Sequence, residues 1–141
     1  MYNFNKPIGS YGERISENFL VSKGHKILTK NFRCRSGEID IISSHNNYIC
    51  FTEVKTRYNY SFGIPCESVT PTKIKKIRNT AKFYIYINKL FKNNFKFNVI
   101  EIILSKYGND YSINFIENAF WSFNKNNKLL LNFQVVVYYF Y

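Results

Sequence analysis

Gly37-Glu38-Ile39-Asp40-Ile41-Ile42, followed by Phe51-Thr52-Glu53-Val54-Lys55, is the stretch on which the reading of this chain turns. Both runs alternate like strands, and each carries an acid where a strand would favour a neutral side chain. Asp40 lies among isoleucines, and Glu53 and Lys55 bracket Val54 at period 2, so they share one strand face. Charged groups are rarely buried without partners, because desolvation is costly. An Asp, a Glu and a Lys converging at adjacent strand ends are the groups a divalent-metal phosphodiesterase needs. The carboxylates hold Mg2+ or Mn2+, and the ammonium orients the nucleophile or steadies developing charge. Straight, long antiparallel strands would hold Asp40 and Glu53 apart, so a bulge or a short pairing is required. The competing reading is a pair of cross-strand salt bridges on a solvated face, since acid-x-basic triplets are common. The isoleucines on both sides of Asp40 weigh against it.

Around this stretch the chain reads as helix, three-strand meander, helix and two strands. A first helix is expected from about Tyr11 to Lys23, stopped by Gly24, with Ser10 and Glu13 as a capping box. Strands follow at Lys26 to Arg33, Glu38 to Ser43 and Tyr48 to Lys55, with turns at Cys34 to Gly37 and Ser44 to Asn47. Thr56 to Ser68 reads as a loop. Thr70-Pro71 is a strong helix start, and Ile74, Ile77, Ala81, Tyr84 and Ile85 recur at helical spacing toward Leu90. Strands return at Phe95 to Leu104 and Tyr111 to Ile116. The expected fold class is therefore α/β, a mixed sheet flanked by helices.

The chain has 141 residues, enough for one domain with its own core. Residues 1–120 read as that domain and 121–141 as an apolar C-terminal extension. Residues 129–141 are too few and too interrupted to span a membrane, and no apolar leader opens the chain. The extension could be an added strand, a helix on the core or a loosely held tail. Its Val135 to Tyr139 run favours a strand that joins the Tyr111 to Ile116 edge or pairs with a second copy in a homodimer.

Twenty basic against nine acidic residues give a formal charge of +11, which implies an anionic partner, nucleic acid first. Part of the lysine, isoleucine and asparagine content reflects the bias of an AT-rich genome. Cys34, Cys50 and Cys66 form no CxxC pair, and His25 and His45 are the only histidines, so zinc is not expected. Reduced thiols and a cytoplasmic location follow. Neither histidine is a catalytic candidate, and no P-loop, nucleophile elbow or dinucleotide glycine pattern occurs. Lys30, Arg33, Arg35, Lys55 and Arg57 border the acidic stretch. On the second helix Lys75, Arg78 and Lys82 share a flank that suits a phosphate backbone or an ordinary solvated face. Tyr58, Tyr60 and Phe62 suit either stacking on exposed bases or loop packing. Glu38 shares a strand side with Asp40, as a supporting group or a partner of the turn.

Several motifs occur in a fixed order: Gly12-Glu13, Gly24, Asn31-Phe32-Arg33, Gly37 to Ile42, Phe51 to Arg57, Phe62-Gly63-Ile64-Pro65, Lys73, Ala81 and Asn118-Ala119-Phe120. Together they resemble the YraN-like family of bacterial proteins in the restriction-endonuclease-like, PD-(D/E)xK superfamily. That resemblance implies a restriction-endonuclease-like mixed five-stranded sheet and a kinship with Holliday-junction resolvases. It also implies a catalytic set of Glu13, Asp40, Glu53 and Lys55, with Glu13 joining Asp40 and Glu53 at the metal. One departure is Lys96-Phe97-Asn98, where the family typically has Arg-Phe-Asp. The function expected is a metal-dependent endonuclease acting on nucleic acid, DNA by virtue of the resemblance. The alternative is a non-catalytic nucleic-acid-binding protein of the same fold.

Overall fold

The structure is a computed structural model that describes residues 5–58, 70–107, 109–119, 122–123, 129–130 and 135–140. Helix α1 (Asn5–Ser22) leads into the strands β1 (Lys26–Cys34), β2 (Gly37–His45) and β3 (Tyr48–Tyr58). Helix α2 (Pro71–Ile87) is followed by β4 (Asn94–Leu104) and β5 (Tyr111–Ile116). Two short strands, β6 (Ser122–Phe123) and β7 (Leu129–Leu130), form a separate ribbon before β8 (Val135–Phe140).

The main sheet has the order β1-β2-β3-β4-β5-β8. All its neighbours are antiparallel except β3 and β4, which run parallel through the α2 crossover. The mixed five-stranded sheet expected from sequence is β1 to β5. A sixth strand comes from the extension: β8 pairs with β5 from Ile116↔Val135 to Tyr111↔Phe140, within the same chain.

Alternation along the central strands splits the core into two layers. Phe51, Phe97 and Val99 face α2 residues Ile74, Ile77, Ala81 and Tyr84. Ile100, Ile102 and Leu104 face α1 residues Ile15, Phe19 and Leu20. The sheet thus lies between one helix on each face.

Helix α2 starts as its sequence dictates. Thr70 is the N-cap, its hydroxyl oxygen accepting from the Lys73 N–H at 3.2 Å, and Pro71 opens the helix. Helix α1 departs from expectation. It begins at Asn5, so Ser10 lies inside it and the Ser10–Glu13 capping box does not form. Pro7 falls in the first turn, where its missing N–H has no helical partner to lose. Gly12 is required for packing, because a Cβ there would collide with the Thr56 side chain of β3. The expected loop also begins late, since Thr56 to Tyr58 extend β3. Tyr60, Phe62, Cys66 and the Phe62 to Pro65 motif lie outside the described residues.

Candidate active site

The β2–β3 ladder runs from His45↔Tyr48 to Ile41↔Thr52 and stops. One further step would pair Asp40 with Glu53. Instead the Asp40 carboxylate accepts a hydrogen bond from the Val54 N–H at 2.7 Å, replacing the lost ladder bond with a side chain. Beyond this point β4 is the one strand neighbour of β3 among the described residues, through Tyr58↔Leu104. The β1–β2 ladder passes from Lys30↔Ile41 to Phe32↔Ile39, and Asn31 between them has φ 51, in the left-handed region asparagine tolerates. The strands therefore part beside Asp40, and the short pairing demanded by the sequence is present.

Charge is concentrated at that parting. Burial, then the neighbouring Glu53 carboxylate, push the Asp40 carboxyl up to about 7, with Glu13 adding to the effect and the Val54 N–H opposing it. Glu53 is buried, and one of its oxygens takes both Lys55 Nζ at 2.8 Å and Lys73 Nζ at 3.2 Å. Burial works against the Lys55 ammonium, but contact with Glu53 and the charge of Asp40 outweigh it and raise its pKa. Lys73 moves down, because it is desolvated and faces Lys55. The structure thus brings Asp40, Glu53 and Lys55 together, sets Glu13 close enough for its charge to act on Asp40, and adds Lys73.

The remaining predicted residues divide. Arg57 stays on the strand face of Glu53 and Lys55 and forms a 2.7 Å ion pair with Glu101. Glu101 is almost fully buried and also accepts from Asn114 at 2.9 Å. Burial raises its carboxyl pKa, with Asn114 and Arg57 opposing. Arg33 forms an exposed ion pair with Glu38 across the hairpin at 2.9 Å. Arg35 is exposed on the same turn, and Lys30 pairs with Glu17 at 2.9 Å. Lys75 and Lys82 are exposed on α2, and burial lowers the pKa of Arg78 beside them. None of the contacts described for Arg33, Arg35, Lys75, Arg78 or Lys82 reaches the carboxylates.

Sequence reasoning missed Glu101, Asn114 and the part played by Lys73. Glu101 could have been found, since Ile100-Glu101-Ile102 repeats the isoleucine-flanked acid that singles out Asp40. The Asn98 departure lies elsewhere. Its side chain accepts from the Asn118 N–H at 2.9 Å, and its alternation with Phe97 and Val99 puts it on the sheet face opposite Glu53.

A mixed sheet between helices, with an acid pair and a lysine where two central strands part, has the form of the restriction-endonuclease-like, PD-(D/E)xK class. The chain belongs to the uncharacterised protein family UPF0102, whose profile matches residues 12–102, in line with the resemblance carried by the motifs. A UPF0102 protein of Clostridium novyi (strain NT) is 97% identical over 120 residues, which cover 85% of this chain and 100% of the relative. UPF0102 proteins of Clostridium kluyveri and Clostridium acetobutylicum are 52% and 48% identical over the same share of this chain and 98% of their own lengths.

Among the described residues, no group of three or more His, Cys, Asp and Glu side chains is arranged to hold a metal ion. The donor chemistry still fits a hard divalent cation, which takes one or two carboxylates and fills the rest of its shell with water. The observation that supports the fit is Asp40, whose carboxyl is pushed up to about 7 by burial and by the neighbouring Glu53 carboxylate, two acids whose repulsion a cation between them would offset. No helix among the described residues is long and apolar enough to cross a membrane.

Proposed function

We propose that the chain is a metal-dependent endonuclease that hydrolyses nucleic-acid phosphodiesters, with DNA the first substrate class to test. The observation that carries this reading is the Asp40–Glu53 pair at the end of the β2–β3 ladder, with Lys55 on Glu53. Asp40 and Glu53 would hold Mg2+ or Mn2+, with Glu13 adding negative charge behind them. A bound cation supplies Lewis acidity at the phosphate and a water of lowered pKa. Lys55, protonated and half-buried, orients the attacking water or neutralises the charge that builds on the phosphate. Lys73 provides a second positive group on the same carboxylate, from the first turn of α2. Arg57, braced by Glu101 and Asn114, presents a fixed guanidinium to a phosphate farther along the strand. Arg33, Arg35, Lys75, Arg78 and Lys82 supply longer-range attraction to the backbone. We place this activity in the reducing cytoplasm, consistent with the free thiols of Cys34 and Cys50. A homodimer would allow paired cuts on a symmetric junction.

The deciding assay offers duplex, flapped, single-stranded and four-way-junction DNA with Mn2+. Cutting that persists in Asp40→Ala or Lys55→Ala would assign the activity to a contaminant or another site.

A second reading is a non-catalytic nucleic-acid-binding protein of the same fold. It is favoured by the two lysines on one Glu53 oxygen and by the absence, among the described residues, of a three-ligand group. Strong, salt-sensitive binding in EDTA, with no cutting in any metal, would select it.

A further inference from the structure

The far end of α2 carries a feature that the carboxylate site does not use. Between Glu67 and Glu101 the sequence has eight basic residues and no acid. Within that span, Phe83, Tyr86 and Phe91 are exposed, the last two by 69% and 65%. Tyr84 and Ile85 turn toward the core, so Phe83 and Tyr86 occupy the outer side of the same helical turn. Tyr86 and Phe91 meet edge to face at 6.3 Å, and Phe83 stacks on Phe32 at 6.4 Å. Lys82 lies one helical turn before Tyr86, and Lys89 and Lys92 bracket Phe91, all three exposed.

This end of the helix is a hydrogen-bonded turn. The Asn88 side chain donates to the Tyr84 carbonyl at 2.9 Å, the Leu90 N–H to Ile85 at 3.0 Å, and the Asn93 N–H to Leu90 at 3.1 Å. Leu90 packs against the core and anchors the turn from beneath. Lys89 sits at φ 55, a backbone region where glycine costs less than any residue with a side chain. Phe91 is therefore displayed on a fixed support, with little entropy left to lose on contact.

We infer that Tyr86 and Phe91, with Phe83 behind them, form a stacking platform for unpaired bases, flanked by Lys82, Lys89 and Lys92 as phosphate contacts. The chemistry selects a single-stranded nucleic acid. Exposed rings take base faces, which a duplex hides within its stack, while an acid-free basic surround attracts the connecting phosphates. A second copy of this chain seated on itself at this surface fits poorly, because it would bring Lys82, Lys89 and Lys92 of one protomer against those of the other. The platform is separate from the carboxylates. Lys73 to Tyr86 spans thirteen helical residues, roughly 20 Å at the helical rise. The inference does not depend on cutting at Asp40 and Glu53.

The test is fluorescence anisotropy in EDTA, with labelled oligothymidylate of about 16 nucleotides and a duplex of matched length. In the full chain, Tyr86→Ala/Phe91→Ala should weaken oligothymidylate binding by about tenfold or more, with the slope of log affinity against log salt unchanged. Duplex binding should change by less than about threefold. Lys89→Gly/Lys92→Ala should weaken both ligands and lower the single-strand salt slope by about 1.4. Glycine suits the backbone at φ 55, and a urea midpoint equal to that of the wild type, measured on the same preparation, separates weakened binding from misfolding. Equal losses for duplex and single strand in Tyr86→Ala/Phe91→Ala, or no loss for either, would overturn the platform. So would oligothymidylate binding that survives these changes while binding to phosphatidylglycerol vesicles is lost, which would reassign the surface to anionic lipid.

Discussion

Strand β3 is two different environments joined at Thr52. From Tyr48 to Thr52 it is hydrogen-bonded to β2 on one side and β4 on the other, and Ile49, Cys50, Phe51 and Thr52 are buried. From Glu53 to Tyr58 it keeps, among the described strands, β4 alone. The face toward α2 carries Ile49 and Phe51 in the first half and Glu53, Lys55 and Arg57 in the second. Phe51 lies under Tyr84 and beside Phe97, whereas Glu53 meets Lys73 in the first turn of α2. Beyond that turn the described helix offers no apolar cover. One strand thus shifts from apolar core to a row of charged side chains without changing its pleat, because a neighbouring strand leaves and the covering helix begins at the same level.

The largest effect expected from this division is catalytic. Lys55→Ala and Asp40→Ala should each lower Mn2+-dependent cutting by about 10³-fold, roughly 4 kcal/mol of barrier. Neither should collapse the fold, since Lys55 lies in the half of β3 that contributes little apolar packing, and Asp40, on β2, is a polar side chain at the point where β2 leaves β3. Rates on the preferred substrate, with urea unfolding of the same preparations, check both points. A variant that lost activity only because it unfolded would show that the two halves are not separable.

Phe51→Ala is the complementary change. The ring is fully buried and packs against Tyr84, Phe95 and Phe97, so its loss should cost about 3–5 kcal/mol. Unfolding in urea measures it. If the remaining folded fraction cuts at the normal rate per molecule, the closed half supports the open half without entering its chemistry.

Local pattern was enough to find most elements and three of the charged residues that meet where β2 and β3 part. The isoleucines around Asp40 and the Glu53-Val54-Lys55 spacing depend only on strand period, so they could be read directly. What escaped depends on distant parts of the chain. The parallel placement of β4 beside β3 follows from the α2 crossover, and only that placement brings Glu101 into reach of Arg57. Lys73 gives no local sign that it points at Glu53, because a lysine in a helical first turn is ordinarily solvated. Ser10 and Glu13 mimic a cap inside α1, while the close fit of Gly12 against Thr56 is a tertiary fact.

A further effect should appear in the pH dependence of stability without metal. The folded Asp40 value of about 7 lies above the ordinary 3.8. The folded state therefore holds the extra proton, and stability falls as pH rises through that window. His25 acts in the opposite sense. It is buried and stacked on His45 at 4.2 Å, with its Nδ1 2.9 Å from the Ser43 hydroxyl oxygen. Burial, then the charge of His45, lower its pKa from 6.5 to about 4, with Glu117 opposing and Lys96 assisting. The folded state binds fewer protons there, so stability falls as pH drops from about 6.5 toward 4. The two slopes oppose each other in the wild type. Asp40→Asn should be more stable at pH 8 and should expose a profile that rises with pH, whereas His25→Gln should expose one that falls. Thermal melts from pH 4 to 8 in EDTA would read both, and parallel profiles in the two variants would refute the assignment.

The smallest effect concerns the edge strand farthest from the parting. β8 covers β5 and brings Tyr138 onto Phe19 at 5.0 Å and Phe140 onto Tyr111 at 5.2 Å. Lys23 Nζ lies 4.3 Å from the centre of the Tyr138 ring, which ties the end of α1 to the same strand. These contacts are peripheral, and the C. novyi relative matches this chain over its own full length of 120 residues. Truncation after Phe120 should therefore leave a folded protein whose urea midpoint is lower by an amount equivalent to about 1 kcal/mol. It also bares the β5 edge, so self-association should rise with concentration in sedimentation velocity. Cutting should stay within about twofold of the full chain, because the Glu53 half of β3 is bordered by β4 and α2 and touches neither β5 nor β8 in the strand order. A large loss of cutting with a preserved midpoint would mean that the extension reaches the substrate, and the open half of β3 could no longer be treated as the whole site.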